Sequence, residues 1–328
     1  MLDNFSINTQ SLEKHYGIKG SLLQKQYKNN ISDFKEWNQK AHAKEYLLFP
    51  ENLGTYLSLD ETAFSNGELY TILTNKAAKG KKGSVIMMVK GTRAENVMRV
   101  LRKISKEERD IVKEITLDMA SSMNEIARKC FTKANRVTDR FHVQKLTYDA
   151  VQEIRIRHRW VALDLENEGY RIAKLNNDRY KSEEFENGDT RKQLLARSRY
   201  LLFKHSSKWS ESQKERATIL FREYPDLEKA HKLAMGLGNI YEQHITRGVA
   251  NTKMALWFQR VEQSGFQSFK TIKRTFETHH DSIMNFFDNR STNASAESFN
   301  SKIKDFRRVF RGVKDIEFFL FRLTNIFA

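Results

Sequence analysis

Short runs of β-prone, apolar residues alternate with helical patterns through the first half of the chain. Five runs predict strands: 54–59, 68–74, 84–89, 114–117 and 136–138. Helical spacing of apolar residues appears at 94–104 and again at about 121–133. Three strands in a row predict an antiparallel meander, and the later helical crossovers require parallel neighbours. We therefore predict an α/β fold built on a mixed sheet with helices on its faces.

The regions on either side of these runs are helical. In residues 1–48 the pattern is helix, glycine turn, helix around Gly17, which suits a DNA-reading helix-turn-helix and a simple packed helical pair equally. Residues 141–285 carry few strand signals, and 294–326 return to strong helical spacing. The predicted organisation is a helical N-terminal region (1–48), a core (49–148 with 286–328) and an α-helical insertion (149–285).

The charge balance points to a polyanionic partner. Lys and Arg number 57 against 41 Asp and Glu, a formal net charge of +16. Such an excess attracts nucleic acid first and an acidic membrane surface second, whereas the plain alternative is a merely basic protein. No apolar run reaches the roughly 20 residues of a membrane span, and the first residues lack a signal-peptide pattern. A cytoplasmic, nucleoid-associated protein is expected.

A single cysteine limits the chemistry further. Cys130 has no partner for an intrachain disulfide, and one thiolate cannot build a cysteine zinc site. Its spacing from Ile126 and Ala127 is helical, which favours a packed core thiol.

Two strand-like runs end on an aspartate in nearly the same way. The run LSLD ends at Asp60, and the run ITLD ends at Asp118. Acidic residues often follow strands because they suit turns, and for one aspartate that explanation is sufficient. Two carboxylates placed alike on neighbouring strands converge, and converging carboxylates repel unless a cation joins them. Hard oxygen ligands favour Mg²⁺ or Mn²⁺, and Glu297, on a later helix, is the best third acid.

The motifs together are similar to a known family. The run LDE at Asp60, TLDMA at Asp118, VTDRFHV around Asp139 and the segment 293–304 resemble bacterial insertion-sequence transposases of the DDE type, with the ISL-type branch nearest. The resemblance covers about residues 50–328 and implies a ribonuclease-H-like catalytic core. In that family a long helical insertion precedes the third acid, and here such a segment separates Asp118 from Glu297.

The resemblance implies a role for each acid. Asp60 would bridge two Mg²⁺ ions, for which Mn²⁺ would substitute, while Asp118 and Glu297 would each hold one. The metal pair would activate the nucleophile and stabilise the leaving oxygen during cleavage at element ends and strand transfer into target DNA. Glu61 is an alternative ligand to Asp60, but adjacent strand residues point to opposite faces, and the family pattern selects Asp60.

Other residues near these motifs have two interpretations each. Asp139 is either an accessory carboxylate or a helix cap, and His142 either contacts DNA or metal or is structural. Asn300 shares a helical face with Glu297 and is expected to hold phosphate near the metals. A basic run on the same helix predicts DNA contacts by Lys302, Lys304, Arg307, Arg308 and Arg311.

The expected partner is double-stranded DNA, bound by a homodimer, without a membrane. Relatives usually carry a fuller N-terminal DNA-binding region, so a separate N-terminal DNA-binding polypeptide is a further possible partner. Two rival functions stay open: a catalytically dead or truncated DNA-binding protein of the same fold, and a host nuclease. Target breakage without strand joining would distinguish the nuclease.

Overall fold

The chain folds into two compact units. The computed structural model describes residues 1–63, 68–310, 313 and 315–328. One unit comprises Met1–Asp139 with Asn289–Ala328, and the other comprises Arg140–Asp288. The unit boundaries thus fall at 139/140 and 288/289, against sequence-based limits of 148/149 and 285/286, and residues 1–48 belong to the first unit.

A six-stranded mixed sheet lies at the centre of the first unit, in the order β1-β4-β3-β2-β5-β6. The strands are β1 (Tyr46–Leu48), β2 (Tyr56–Ala63), β3 (Leu69–Asn75), β4 (Val85–Lys90), β5 (Glu114–Leu117) and β6 (Asn135–Thr138). β1, β4, β3 and β2 pair antiparallel in that order, whereas β5 runs parallel to β2 and to β6. The predicted meander followed by parallel neighbours is confirmed.

The helices occupy the rest of the described chain. In chain order they are α1 (Thr9–Tyr16), α2 (Gly20–Gln26), α3 (Ala94–Leu101), α4 (Lys106–Arg109), α5 (Ser121–Cys130), α6 (Arg140–Leu175), α7 (Arg191–Arg197), α8 (Glu211–Glu223), α9 (Pro225–Glu242), α10 (Arg247–Ser264), α11 (Gln267–Thr278), α12 (His280–Met284), α13 (Phe286–Asn289), α14 (Ala294–Val309) and α15 (Ile316–Phe327). Five short 3₁₀ turns and one π turn join them: Tyr27–Ile31 (π), Lys40–His42, Pro50–Asn52, Lys76–Ala78, Leu201–Phe203 and Ser206–Lys208.

Two details of the sheet differ from the sequence-based prediction. β1 lies inside the region predicted to be helical, and it pairs antiparallel with β4. The first predicted run does not stop at Asp60, because β2 continues to Ala63 while it pairs with β3. Its parallel pairing with β5 ends at Ser58. On the β3 side of β2, Asp60 is therefore still a paired strand residue. On the β5 side it lies beyond the last residue pair, Ser58 with Thr116.

The sheet buries an apolar core on each face. On one face, Leu59 and Leu117 pack with Val97 of α3 and Ile126 of α5, and Cys130 belongs to this core as predicted. On the other face, strands β3 and β4 pack against α14 and α15. The residues of this second core include Tyr70, Ile72, Val85, Met88, Phe299, Ile303, Phe306, Leu320 and Leu323. Along β2, Leu57 and Leu59 point into the first core, whereas Asp60 points to the face that meets α14.

The N-terminal helices pack on the C-terminal helix. α1 begins at an Asn8 cap and ends at Gly17 in the left-handed conformation, and α2 follows at Gly20. The sequence pattern of helix, glycine turn and helix corresponds to α1, Gly17 and α2, and a DNA-reading role for this region stays a prediction. Leu12 and Phe34 share an apolar cluster with Phe318 of α15.

The second unit is helical, as predicted for the insertion. Its charged interior is compensated: Asp189 is fully buried and accepts hydrogen bonds from Arg216 (2.8 Å) and Arg197. The indole N–H groups of Trp209 and Trp257 donate to the carbonyls of Leu201 and Leu233 at 2.9 and 2.8 Å. Trp257 is buried, so its ring is part of the packed interior of this unit.

A buried arginine joins the N-terminal segment to α15. Arg322 is 1% exposed, and its Nη2 donates to the carbonyl oxygens of Phe5 (3.1 Å) and Ile7 (3.2 Å). Its guanidinium also lies 5.4–5.6 Å from the ring centroids of Tyr27, Phe306 and Phe310. Burial lowers the pKa of this group, so the aromatic rings and the carbonyls compensate for lost hydration.

We predict that Arg322→Ala destabilises this unit by about 2–4 kcal/mol, because it leaves a cavity and removes the hydrogen bonds to the carbonyls of Phe5 and Ile7. Denaturant unfolding followed by tryptophan fluorescence measures the change. Arg99→Ala, at an exposed position of α3, is the matched control and should stay within about 0.5 kcal/mol of the unsubstituted protein. Equal midpoints for the two variants would contradict the anchoring role.

Candidate active site

The register of the parallel strands puts three aspartates at one level. Ser58 pairs with Thr116, and Thr116 pairs with Val137. Asp60, Asp118 and Asp139 each come two residues after these paired positions. Because side chains alternate between faces, the three carboxylates lie on the same face of β2, β5 and β6. Strand register thus puts Asp60 and Asp118 on one face and at one level.

This is the face on which α14 packs. The side-chain Nδ2 of Asn300 donates a 2.7 Å hydrogen bond to Oδ2 of Asp60. At the start of the helix, the backbone N–H of Asn293 donates to Oδ1 of Asp139 at 3.4 Å. α14 is therefore attached at one end to the aspartate of β6 and, seven residues later, to the aspartate of β2.

Glu297 lies between these two attachment points. Seven residues of helix span about 10.5 Å, and two strand spacings cover about 9.6 Å, so Asn293 and Asn300 match β6 and β2. Glu297 is four residues after the first and three before the second, on the same side of the helix. By this spacing we expect Glu297 near the level of the middle strand, β5, which Asp118 follows. Glu297 is exposed, which leaves its carboxylate open to solvent.

The oxygens of the two central aspartates are held by hydrogen bonds. Oδ1 of Asp60 accepts from the backbone N–H of Glu61 at 2.8 Å, in addition to the bond from Asn300 to Oδ2. Oδ1 of Asp118 accepts from the N–H of Ala120 at 2.8 Å. Both side chains are half-buried. Their orientations are therefore restricted before any ligand binds.

Negative charge accumulates around these aspartates. The pKa of Glu61 is raised, first by burial and then by the charges of Asp118 and Asp60. This proximity was missed in the sequence, where strand alternation alone placed Glu61 away from the site. Within the described part of the chain, no three His, Cys, Asp or Glu side chains are close enough together to hold a metal ion. The acids are aligned, but they are not drawn together around one point.

Asp139 is buried, whereas a carboxylate that binds a metal at an open site faces solvent. It is 2% exposed, and its Oδ2 finds no hydrogen-bond partner among the described residues. The amide of Asn293, fully buried, likewise has no partner there. Together with the contact to Asn293, this burial favours a structural role for Asp139, in which it holds the start of α14. His142 lies half-buried in the first turn of α6, in the second unit, and its role stays a prediction.

A buried lysine organises the opposite end of β5. Lys76 Nζ donates to Oε1 of Glu114 at 3.3 Å and also to Thr116 and Ser291. Asn289 Nδ2 donates to the other oxygen of Glu114 at 2.7 Å. This network ties the segment that precedes α14 to the strand that carries Asp118. Sequence patterns gave no signal for it, because Lys76 belongs to a basic turn that looks solvated.

The predicted basic residues of α14 separate into different environments. Lys304 and Arg308 are exposed on the side of Glu297, seven and eleven residues further along. Arg308 is paired with Asp305 at 3.1 Å, and Arg307 approaches the carbonyl of Ala63 at 3.5 Å. Lys302 faces the other side. Arg311 lies outside the described residues.

Lys302 is already engaged within the protein. Its Nζ donates to the carbonyl of Gly80 at 2.7 Å and lies 5.9 Å from the centroid of the Phe327 ring. Five residues of helix rotate the side chain by roughly 140° from Glu297. Helical periodicity therefore puts Lys302 and Lys304 on different sides of α14, although both belong to the basic run that was predicted to bind DNA.

The raised pKa of Glu61 predicts a charge effect on stability. Glu61→Gln should raise the Tm at pH 7 by about 1–3 °C, a change under about 1 kcal/mol, because it removes a carboxylate that is harder to ionise in the folded state. The gain should shrink as the pH falls through the raised pKa, where Glu61 becomes neutral in the folded protein. Glu95→Gln, exposed on α3, is the control. A lower Tm for Glu61→Gln would contradict the repulsion.

Comparison with known proteins identifies the family. A family model described as transposase, of the DDE and ISL3 type, matches residues 57–323. No curated protein matches the chain significantly. The match includes β2, β5, β6 and α14, the elements that carry the aligned acids. No helix within residues 1–63, 68–310 and 315–328 has the length and hydropathy to cross a membrane. The mixed sheet has the ribonuclease-H-like architecture of such a catalytic core, and the chain belongs to the ISL3-type DDE transposases.

Proposed function

We propose that the chain cuts DNA at the ends of a mobile element and joins the freed ends to target DNA, with Asp60, Asp118 and Glu297 as the catalytic acids. The observation that supports this proposal is the 2.7 Å contact of Asn300 with Asp60, because helical spacing from Asn300 favours a position of Glu297 near the level of Asp118. Family membership makes DNA the substrate. The chemistry at the acids goes beyond that membership and rests on the geometry.

The donor set suits a hard divalent cation. Carboxylate oxygens are the ligands that Mg²⁺ and Mn²⁺ prefer, and a cation would offset the carboxylate charges that, after burial, raise the pKa of Glu61. We propose that Asp60, Asp118 and Glu297 would hold such ions. Bound there, the ions would activate the nucleophile and stabilise the leaving oxygen.

The residues of the chain itself would supply orientation. Two hydrogen bonds fix the Asp60 carboxylate, and Asp139 with Asn293 fixes the start of the helix that carries Glu297. In donor cleavage, water attacks phosphorus in line, and the bond to the 3′ oxygen breaks, leaving a 3′-hydroxyl and a 5′-phosphate. In strand transfer, that hydroxyl attacks a target phosphorus, and the bond from this phosphorus to the target's 3′ oxygen breaks, so no covalent enzyme intermediate is needed.

The remaining partner assignments follow from this chemistry. Two element ends must meet in one complex, so we propose a homodimer on double-stranded DNA. Lys304 and Arg308 would bind the backbone beside the acids, since they continue the exposed side of Glu297 along α14. A nucleoid-associated location in a bacterial cytoplasm follows from such a substrate.

Removal of either ligand should abolish the chemistry. Asp118→Asn and Glu297→Gln are each expected to lower Mn²⁺-dependent cleavage and strand transfer by roughly 100-fold or more, because several kcal/mol of transition-state stabilisation would be lost. The assay uses DNA that carries the element's own ends. Glu95→Gln serves as the matched control.

The outcomes separate the rival functions. Unchanged activity in the two variants would exclude the proposed acids. Tight end binding without any cleavage by the unsubstituted protein would favour a catalytically dead core, and cleavage without strand joining would favour a nuclease.

Asn300 gives a more specific test of the arrangement. Asn300→Leu should weaken Mn²⁺ binding by roughly 10-fold, the range for residues that orient a metal ligand, since it frees Oδ2 of Asp60. The rise in Tm during a Mn²⁺ titration reports this affinity independently of cleavage. Ser301→Ala, an exposed neighbour on α14, is the control and should behave like the unsubstituted protein. An unaltered Mn²⁺ affinity in Asn300→Leu would contradict the positioning role.

A further inference from the structure

The turn between β3 and β4 presents an unusual concentration of lysines. We call residues 76–83 the basic turn; their sequence is KAAKGKKG. Lys79, Lys81 and Lys82 are exposed, whereas Lys76 is held in the network below. Lys82 lines a surface depression with the acidic Asp3 and Glu51, so part of its charge is compensated locally. Lys79 and Lys81 thus carry the main free charge of the turn.

The conformation of the basic turn is fixed from within. The side chain of Asn75 accepts from the N–H of Ala77 at 3.0 Å, and Lys79 closes the 3₁₀ turn in the left-handed conformation. Gly80 has φ of +71°, and a methyl group added there would lie 2.9 Å from the Lys302 ammonium. This position therefore needs glycine.

The same turn is also held from both sides. Lys302 donates to the carbonyl of Gly80 at 2.7 Å, and the N–H of Ser84 donates to the carbonyl of Phe327 at 2.8 Å. Below it, Lys76 binds Glu114 and Ser291. A solvent-exposed turn without a binding role does not require three such attachments. A lysine on a fixed backbone also loses less conformational entropy when its ammonium group binds an anion.

We infer that the basic turn is a second DNA-backbone contact, in which Lys79 and Lys81 bind phosphates and Lys302 positions the turn. The inference rests on DNA as the substrate of this transposase and is independent of the proposed acids. It changes the role of Lys302, whose ammonium is engaged by Gly80 and Phe327. The polyanion that fits closely spaced, rigid lysines is the phosphate backbone.

The turn reaches a different part of the DNA from the acids. Lys302 and Glu297 point to different flanks of α14, roughly 140° apart. The basic turn on the flank of Lys302 therefore contacts phosphates away from the one that would react. DNA held on both flanks of α14 would be fixed across the helix that carries Glu297.

The salt dependence of DNA binding tests this contact directly. Affinity is measured by fluorescence anisotropy with duplex DNA in EDTA at several salt concentrations, so that metal chemistry plays no part. Each lost phosphate contact lowers the slope of log K against log salt by about 0.9. The double variant Lys79→Gln/Lys81→Gln is expected to lower the slope by about 1.8 and the affinity at 0.1 M salt by roughly 10-fold or more.

The control removes the same charge elsewhere. Lys103→Gln/Lys133→Gln changes two exposed lysines on the α3 and α5 side of the sheet. This control should lower the slope by less than half as much. Equal slopes for the two double variants would overturn the inference, because general charge would then explain the binding.

A double-mutant cycle tests the role of Lys302. Lys302→Met should weaken DNA binding alone but add no further loss to Lys79→Gln/Lys81→Gln, because it acts through the turn. Additive losses would mean that Lys302 binds DNA itself, which would overturn its positioning role. Lys302→Arg keeps a donor for Gly80 and should bind like the unsubstituted protein; a loss as large as that of Lys302→Met would also count against positioning. These results stand whether or not Asp118→Asn abolishes cleavage.

Discussion

The parallel register of β2, β5 and β6 is the constraint on which the site depends. Leu59 and Leu117 are fully buried in the core beneath α3 and α5. A slip of one residue would turn these leucines toward α14 and push an aspartate into the apolar core, at a cost of several kcal/mol. Burial of apolar residues on one face thus fixes the level of Asp60 and Asp118 on the other. The positions of these aspartates are therefore set by the packing of leucines that do not belong to the site.

α14 packs against the second core with its apolar side and meets the aspartates with its polar side. Phe299, Ile303 and Phe306 bury one side against the sheet and α15. The polar side carries Asn293 and Glu297 across the strand ends. Because both sides belong to one rigid helix, the apolar packing sets the height of the helix, and the contacts of Asp139 and Asp60 set its position along the strands. A shift that loosened the aromatic core would therefore move Glu297 as well.

Sequence patterns predicted the parts of this arrangement that depend on local order. The run ITLD ended correctly at Asp118, because β5 stops where its parallel pairing stops. The extension of β2 past Asp60 depends on pairing with β3, a nonlocal contact that periodicity does not contain. β1 was not predicted, because three residues are too few to show the alternation of apolar and polar residues that is typical of a strand. The engagement of Lys302 was partly predictable, since helical rotation already separates it from Lys304.

Electrostatics explains why acids and lysines occupy separate surfaces. A phosphodiester near Asp60, Asp118 and Glu61 would meet a group of neighbouring carboxylates, and the pKa of Glu61 is raised first by burial and then by the charges of Asp118 and Asp60. Lys304 is seven residues from Glu297, about 10.5 Å along the helix, and the Debye length at 0.1 M salt is about 10 Å. Basic residues at that distance attract the DNA without neutralising the acids. Only a cation bound among the carboxylates would then let the reacting phosphate approach, so binding and reaction would be controlled by different charges.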